Sequence, residues 1–296
     1  MKRNAAFIVV VLLAVGALYY VQKHKAVPVS SNAVVNAMAD AQRDVSRIPA
    51  RVTRLSDQEE IRIGNELSAR YVREMPQLTR QQRAYQNYVS RVGTTLGARA
   101  KRQLPYQFYL IPDSGLVNAF ALPGGHVFIG QGLLDLMTSE DELANVLGHE
   151  LEHIDHYHCV ERVQIEAQLR HLHLGVISEL VQLPITVWQV GYTKDQEFEA
   201  DREGTSLAVR AGYSPYGALK LFETFAQFHN EYVIHARSPQ QELSQVAIQS
   251  ITGYFRSHPL PSERIAQINA LIEREHWQDR KRLKPFRIEY EIKPGE

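Results

Sequence analysis

His149-Glu150-Leu151-Glu152-His153 is the stretch on which the reading of this chain turns. Just before it, Ser139 and Glu142 form a capping box, the mark of a helix start. Leu143, Val146, Leu147 and Leu151 then recur at helical spacing. Residues four apart on an α-helix share a face, about 40° apart around the axis and about 6 Å along it. Two imidazoles so placed converge on one tetrahedral ion. Glu150, one step round the helix, reaches a water bound to that ion. There it acts as general base and passes the proton to a leaving amine. The plain alternative is two solvated histidines on an amphipathic helix. With twelve histidines in the chain, a chance occurrence of this pattern is on the order of a few per cent. The sharp cap and the apolar residues sharing its turns favour a packed helix that presents the pair inward.

A histidine pair needs a third ligand. Glu197-Phe198-Glu199-Ala200-Asp201 lies on a second predicted helix, running from about Lys194 to Ala211. Glu197 and Asp201 are again four apart and face the same way. Glu197 completes a His2Glu set with one position open to water. Asp201 then orients a ligand histidine through its free ring N–H. Glu199 points away from Asp201 and is expected to be a surface charge, and a charged helix face is the plain reading of the whole segment.

Working outward, Ser56 with Glu59 and Thr79 with Gln82 form two further capping boxes, so two helices open the folded part. Tyr106 to Ile111, between Pro105 and Pro112, reads as a strand. Asn118 to Gly130 reads as two strand pieces meeting at Pro123-Gly124-Gly125. Val127 to Ile129 is either a sheet edge that pairs with an extended substrate or an ordinary internal strand. The pattern stays helical from Val160 to about Leu183. Leu174 to Val190 is strongly apolar, a core segment, a lid or a membrane-dipping piece, with Glu179 and Pro184 against a full span. Ser214-Pro215 opens another helix and Pro261 to Glu275 is the last, followed by a basic tail that turns β-like at Phe286 to Ile292. The expected class is mostly α with a small β-sheet, a zincin-type α+β domain over residues 56–275. Residues 27–55 are a tether and 276–296 a C-terminal tail.

The 296 residues, 44% hydrophobic and 22% charged, are those of an ordinary globular chain. Formal net charge is zero, so nothing favours a nucleic-acid partner. A single cysteine, Cys159, allows no intrachain disulfide and no cysteine metal site. Its expected place is a buried helix position. Met1-Lys2-Arg3 precedes an apolar run from Ala5 to Val21. That run is about 25 Å long as a helix, which suits a short membrane anchor or a signal-peptide core. Tyr19, Tyr20, Lys23 and Lys25 at its end favour an uncleaved anchor within residues 1–26, with the remainder on the far side of the membrane.

At several of these elements the chain resembles the membrane-associated gluzincin peptidases that include HtpX, Oma, the CaaX prenyl proteases and, nearest, the BepA-like periplasmic enzymes. Asn118 to Gly125 resembles the family's NAFALPGG element. Ser139 to Ala144 leads into the histidine motif as in the family, Glu197 to Asp201 matches its ExEAD element, and Ser257-His258-Pro259 with Arg264 its late SHP…R element. The resemblance implies a zinc-dependent endopeptidase with one Zn2+ per chain, held by His149, His153 and Glu197. Glu150 is then the base and Asp201 a supporting or proton-donating acid. It further implies polypeptide substrates, misfolded or cell-envelope proteins among them, and a place on the inner membrane facing the periplasm or in the periplasm itself. Two features depart from the pattern. Glu152 stands where a small residue is usual, and the helical repeats that follow the domain in some relatives are absent.

The remaining histidines are expected to be bland. His156 and His158 follow the motif as surface or capping residues, and His171 and His173 have no acidic partner at ligand spacing. His258 is the exception. In a loop stiffened by Pro259 and Pro261, it is either a fourth ligand that keeps the enzyme latent or an oxyanion donor. The reading from another class is a chaperone-like binding module with latent or structural zinc, which a closed four-ligand site would support.

Overall fold

The computed structural model describes residues 55–170, 172, 177–180, 182–189, 191–235 and 261–286. The anchor, almost all of the tether, His171, His173, His258 and most of the β-like tail lie outside them.

The first two helices start where their capping boxes put them. In α1 (Asp57–Glu74) the Ser56 N–H donates to Glu59 Oε2 at 2.9 Å, and Glu59 N–H donates back to Ser56 Oγ. In α2 (Arg80–Gly97) Thr79 and Gln82 make the same exchange. Strands β1 (Gln107–Ile111), β2 (Ala119–Leu122) and β3 (His126–Gly130) form one sheet in the order β1-β3-β2. β1 runs parallel to β3 and β2 antiparallel to it. Val127 to Ile129 is therefore the central strand, flanked on both sides, and cannot pair with a substrate. β1 and β2 are the two edge strands among the described residues, each paired with β3 alone. The turn between β2 and β3 needs positive φ at Gly124 (77°) and Gly125 (105°), where a side chain is strained.

Period-two alternation splits the sheet between two cores. Ala119, Ala121, Val127 and Ile129 face one cluster with Val92, Leu96, Leu147 and Leu151. Phe120, Leu122 and Phe128 face the other, with Ile63, Leu67, Leu183 and Trp188. The apolar segment after residue 170 thus joins the core through its described part. Tyr71 Oη donates to Leu183 O at 2.7 Å and accepts from Trp188 Nε1 at 3.0 Å. Its helix is not continuous, however. After a short α3 (Gln131–Asp135) and the motif helix α4 (Glu140–Asp155), α5 spans His158–Leu169 and α6 only Ile177–Leu180. A single 3-10 turn, Ile185–Val187, follows Pro184, which has no N–H to continue a helix.

α4 is enclosed by its neighbours, with every residue from Asp141 to Asp155 buried. Its polar side chains must therefore find protein partners. Ser139 caps it, accepting from Glu142 N–H at 3.3 Å. The return bond goes elsewhere than expected: Glu142 Oε2 accepts from the Thr138 N–H at 2.8 Å and both neighbouring hydroxyls. Asp141 accepts from the N–H groups of Ser214 and Lys284. α7 (Lys194–Arg210) crosses α4 where Gly148 meets Gly204, so close that a Cβ on Gly204 would stand 2.6 Å from His149 N. α8 (Tyr216–His235), opened by Ser214 Oγ accepting from Tyr216 N–H, and α9 (Pro261–Arg274) complete the packing around α4 and α7.

Candidate metal centre

The crossing of α4 and α7 brings together the side chains that the spacing singled out. His149 Nε2 lies 3.1 Å from His153 Nε2 and 3.4 Å from Glu197 Oε2, and His153 Nε2 lies 3.9 Å from Glu197 Oε1. Ligand atoms each about 2.1 Å from a tetrahedral ion stand about 3.4 Å apart, so these three fit a zinc ion. All three residues are buried. Unneutralised, such a cluster of lone pairs and a carboxylate would be unfavourable there.

The surroundings hold each ligand. His149 Nδ1 is 2.9 Å from Asp201 Oδ1, as the four-residue step from Glu197 foretold. Asp201 is in turn gripped by Arg264, from Nε to Oδ2 at 2.7 Å and from Nη2 to Oδ1 at 2.5 Å. Burial would raise the Asp201 carboxyl, but the Arg264 charge and its hydrogen bonds outweigh it and hold the group at about 2. A carboxyl held there accepts hydrogen bonds at neutral pH and has no proton to donate. Burial likewise opposes charge on His149, yet its bonds to Asp201 and Glu197 prevail and raise it to about 9 in the absence of metal.

Glu150, 3% exposed, lines a cavity of about 20 Å³ with Val146, His149, Asp201, Leu221 and Phe222, room for about one water-sized group. Burial pushes its carboxyl up to about 7, with His149 opposing the shift. A carboxyl so poised takes and returns a proton near neutral pH.

Two residues missed by sequence reasoning, Tyr192 and Arg162, support the centre. Tyr192 stacks on His153 at 3.9 Å between ring centroids, and its backbone N–H donates to Glu197 Oε1 at 3.1 Å. The Arg162 guanidinium lies over the Tyr192 ring, 4.0 Å from its centroid. Tyr192 Oη also meets the buried Cys159 Sγ at 3.4 Å. The available signal for Tyr192 was its place directly before Thr193, which caps α7. His158 departs from its expected surface position: it is 4% exposed, with Nδ1 2.9 Å from His153 Nδ1. His156 does cap α4, half-buried, with Nε2 3.3 Å from Glu152 Oε2. Glu199 is partly exposed but not solitary, reaching His156 Nδ1 at 3.4 Å and His158 Nε2 at 3.5 Å. Glu152 is fully buried, turned from the ligands toward Lys101 Nζ at 3.8 Å.

A histidine pair on a buried helix, completed by a glutamate from the crossing helix beside a small sheet, defines a zincin-type metallopeptidase domain. The chain belongs to peptidase family M48, whose model matches residues 79–272. It is similar to a putative beta-barrel assembly-enhancing protease of Vibrio cholerae, at 28% identity over 196 residues, 60% of this chain and 37% of that protein. It is also similar to the mitochondrial metalloendopeptidase OMA1 of Schizosaccharomyces pombe, at 31% over 156 residues, covering 46% and 42%. The metalloprotease YcaL of Escherichia coli is 28% identical over 160 residues, covering 47% and 59%. The chain thus matches less than two thirds of the length of each of these relatives. Among the described residues no helix is long and apolar enough to cross a membrane.

Proposed function

We propose that this metallopeptidase is a zinc-dependent endopeptidase with His149, His153 and Glu197 as ligands and Glu150 as general base. The observation that carries this reading is the convergence of the two Nε2 atoms and the Glu197 carboxylate within 3.1 to 3.9 Å. When bound, zinc supplies Lewis acidity that polarises a peptide carbonyl and lowers the pKa of water. Glu150 removes a proton from the attacking water and delivers it to the departing amine. Asp201, fixed by Arg264, keeps the His149 proton on Nδ1 and its Nε2 free for the ion. An extended substrate that adds as a strand at an edge of the sheet would be held through main-chain hydrogen bonds, which suits cleavage within a chain.

The substrates we propose are misfolded or cell-envelope proteins. The name of the Vibrio cholerae relative, a putative beta-barrel assembly-enhancing protease, supports this choice. The apolar run Ala5 to Val21 supports an inner-membrane anchor or an export signal. His258, three residues before α9, is proposed as a removable fourth ligand that holds the enzyme latent. His258→Ala then raises basal proteolysis, and a fall with zinc retained would instead make it an oxyanion donor.

Digestion of unfolded casein, with and without a chelator, tests the activity. Glu150→Gln should keep one zinc and lose at least about 100-fold in rate. Casein cleavage that survives both chelation and this substitution overturns the assignment.

A further inference from the structure

His153 is backed by a second imidazole. Its Nε2 faces His149 and Glu197, which leaves Nδ1 against His158 Nδ1 at 2.9 Å. Two ring nitrogens at that distance share one hydrogen, carried by one and accepted by the other. A neutral ring that offers Nε2 to an ion carries its proton on Nδ1. His158 must then present a bare Nδ1 and carry its own proton on Nε2, the atom 3.5 Å from Glu199 Oε2. The two ligand histidines are thus held differently, His149 by a carboxylate and His153 by a neutral ring.

The backbone is shaped for this contact. Five residues along an unbroken helix lie about 140° apart, so His158 could not face His153 on an extension of α4. The chain instead turns through Tyr157 at φ 62°, a left-handed conformation that a tyrosine adopts only under constraint. The Arg102 guanidinium, 3.9 Å from the Tyr157 ring centroid, covers that turn. α5 then begins at His158 itself, and the imidazole folds back over the ligand.

We infer that His158 is a positioning residue that fixes the tautomer and ring angle of His153, with Glu199 orienting His158 from the surface. The inference rests on His153 being a metal ligand.

The test is the zinc dissociation constant of the full chain, measured by competition with a chromophoric chelator. His158→Asn keeps an acceptor oxygen near the place of Nδ1, whereas His158→Leu fills similar space and offers none. The leucine variant should lose about 10- to 100-fold in zinc affinity and the asparagine variant about threefold or less. Leucine at wild-type affinity, or leucine and asparagine equally weak, overturns the inference, the second outcome leaving packing as the cause. Glu199→Ala covers the case of a leucine variant that does not fold, because its side chain is 36% exposed. A loss of about threefold is expected there, and unchanged affinity overturns the relay. Failure of the wild-type chain to bind zinc would overturn the metal-site reading itself. Zinc binding unaffected by any of these variants overturns this inference alone.

Discussion

Gly204→Ala tests whether the helix crossing sets the metal geometry. A Cβ at Gly204 would meet His149 N at 2.6 Å, Gly148 C at 2.7 Å and His149 Cα at 2.8 Å. All three are backbone atoms of α4 and have no rotamer by which to retreat. The nearest ordinary contact for a Cβ is about 3.4 Å, so α4 and α7 must part by roughly 0.8 Å. Glu197 lies two turns earlier on α7 and moves with it, whereas zinc–ligand distances tolerate only about 0.2 Å. Global stability changes little by comparison. Overpacking costs about 1–3 kcal/mol, and the better helix propensity of alanine recovers up to about 1 kcal/mol. Zinc affinity should therefore fall at least about tenfold, more than the small stability loss would suggest. Urea unfolding of the metal-free protein and chelator competition on the same samples separate the two effects. A Gly204→Ala protein that is folded and binds zinc like the wild type would refute the argument that this contact fixes the distance from Glu197 to the histidines.

Arg264→Ala should destabilise the domain by about 3 kcal/mol in urea unfolding, because it strands the buried Asp201 carboxylate; a loss below about 1 kcal/mol would show that water or another group replaces the guanidinium. In the metal-free protein His149, raised to about 9 from 6.5, contributes stability that is fully present below pH 6.5 and lost as pH rises through about 9. Zinc requires the neutral ring, so zinc affinity should climb roughly tenfold per pH unit up to about pH 9; a flat profile over that window contradicts the shift. His149→Ala, His153→Ala and Glu197→Ala should each abolish stoichiometric zinc in metal analysis, and a variant that keeps a full equivalent is not a ligand. Full-length protein should stay with membranes through high-salt and carbonate washes, whereas a soluble form beginning after residue 21 would identify a signal peptide.

Much of the centre could be read from the chain because its parts are local. Two four-residue steps, His149 to His153 and Glu197 to Asp201, fix side chains on one helix face whatever surrounds them. Capping at Ser56, Thr79 and Ser139 is equally local. What escaped depends on longer-range geometry or on a single unusual dihedral. The parallel pairing of β1 with β3 joins segments separated by β2, so no alternation pattern could put Val127 to Ile129 in the middle. The buried place of His158 escaped because Tyr157, with no glycine to announce it, takes a left-handed turn between the two helices. Tyr192 carries no motif at all. Its role comes from where Thr193 starts α7, which lets one backbone N–H and one ring serve two ligands.

The lone thiol offers a view of how this wall behaves in time. Cys159 has no exposed surface, and its Sγ lies between Ala121 O and Tyr192 Oη. Burial pushes the thiol up to about 12, so the closed protein presents neither access nor thiolate to a modifying reagent. Labelling must then wait for an opening fluctuation, and its rate under fast reclosing measures the free energy of that opening. Because Tyr192 packs on His153 and bonds Glu197, any opening that frees the sulfur by displacing Tyr192 also loosens two ligands. The cysteine is a built-in clock for spontaneous breaches in that wall, and bound zinc should slow it.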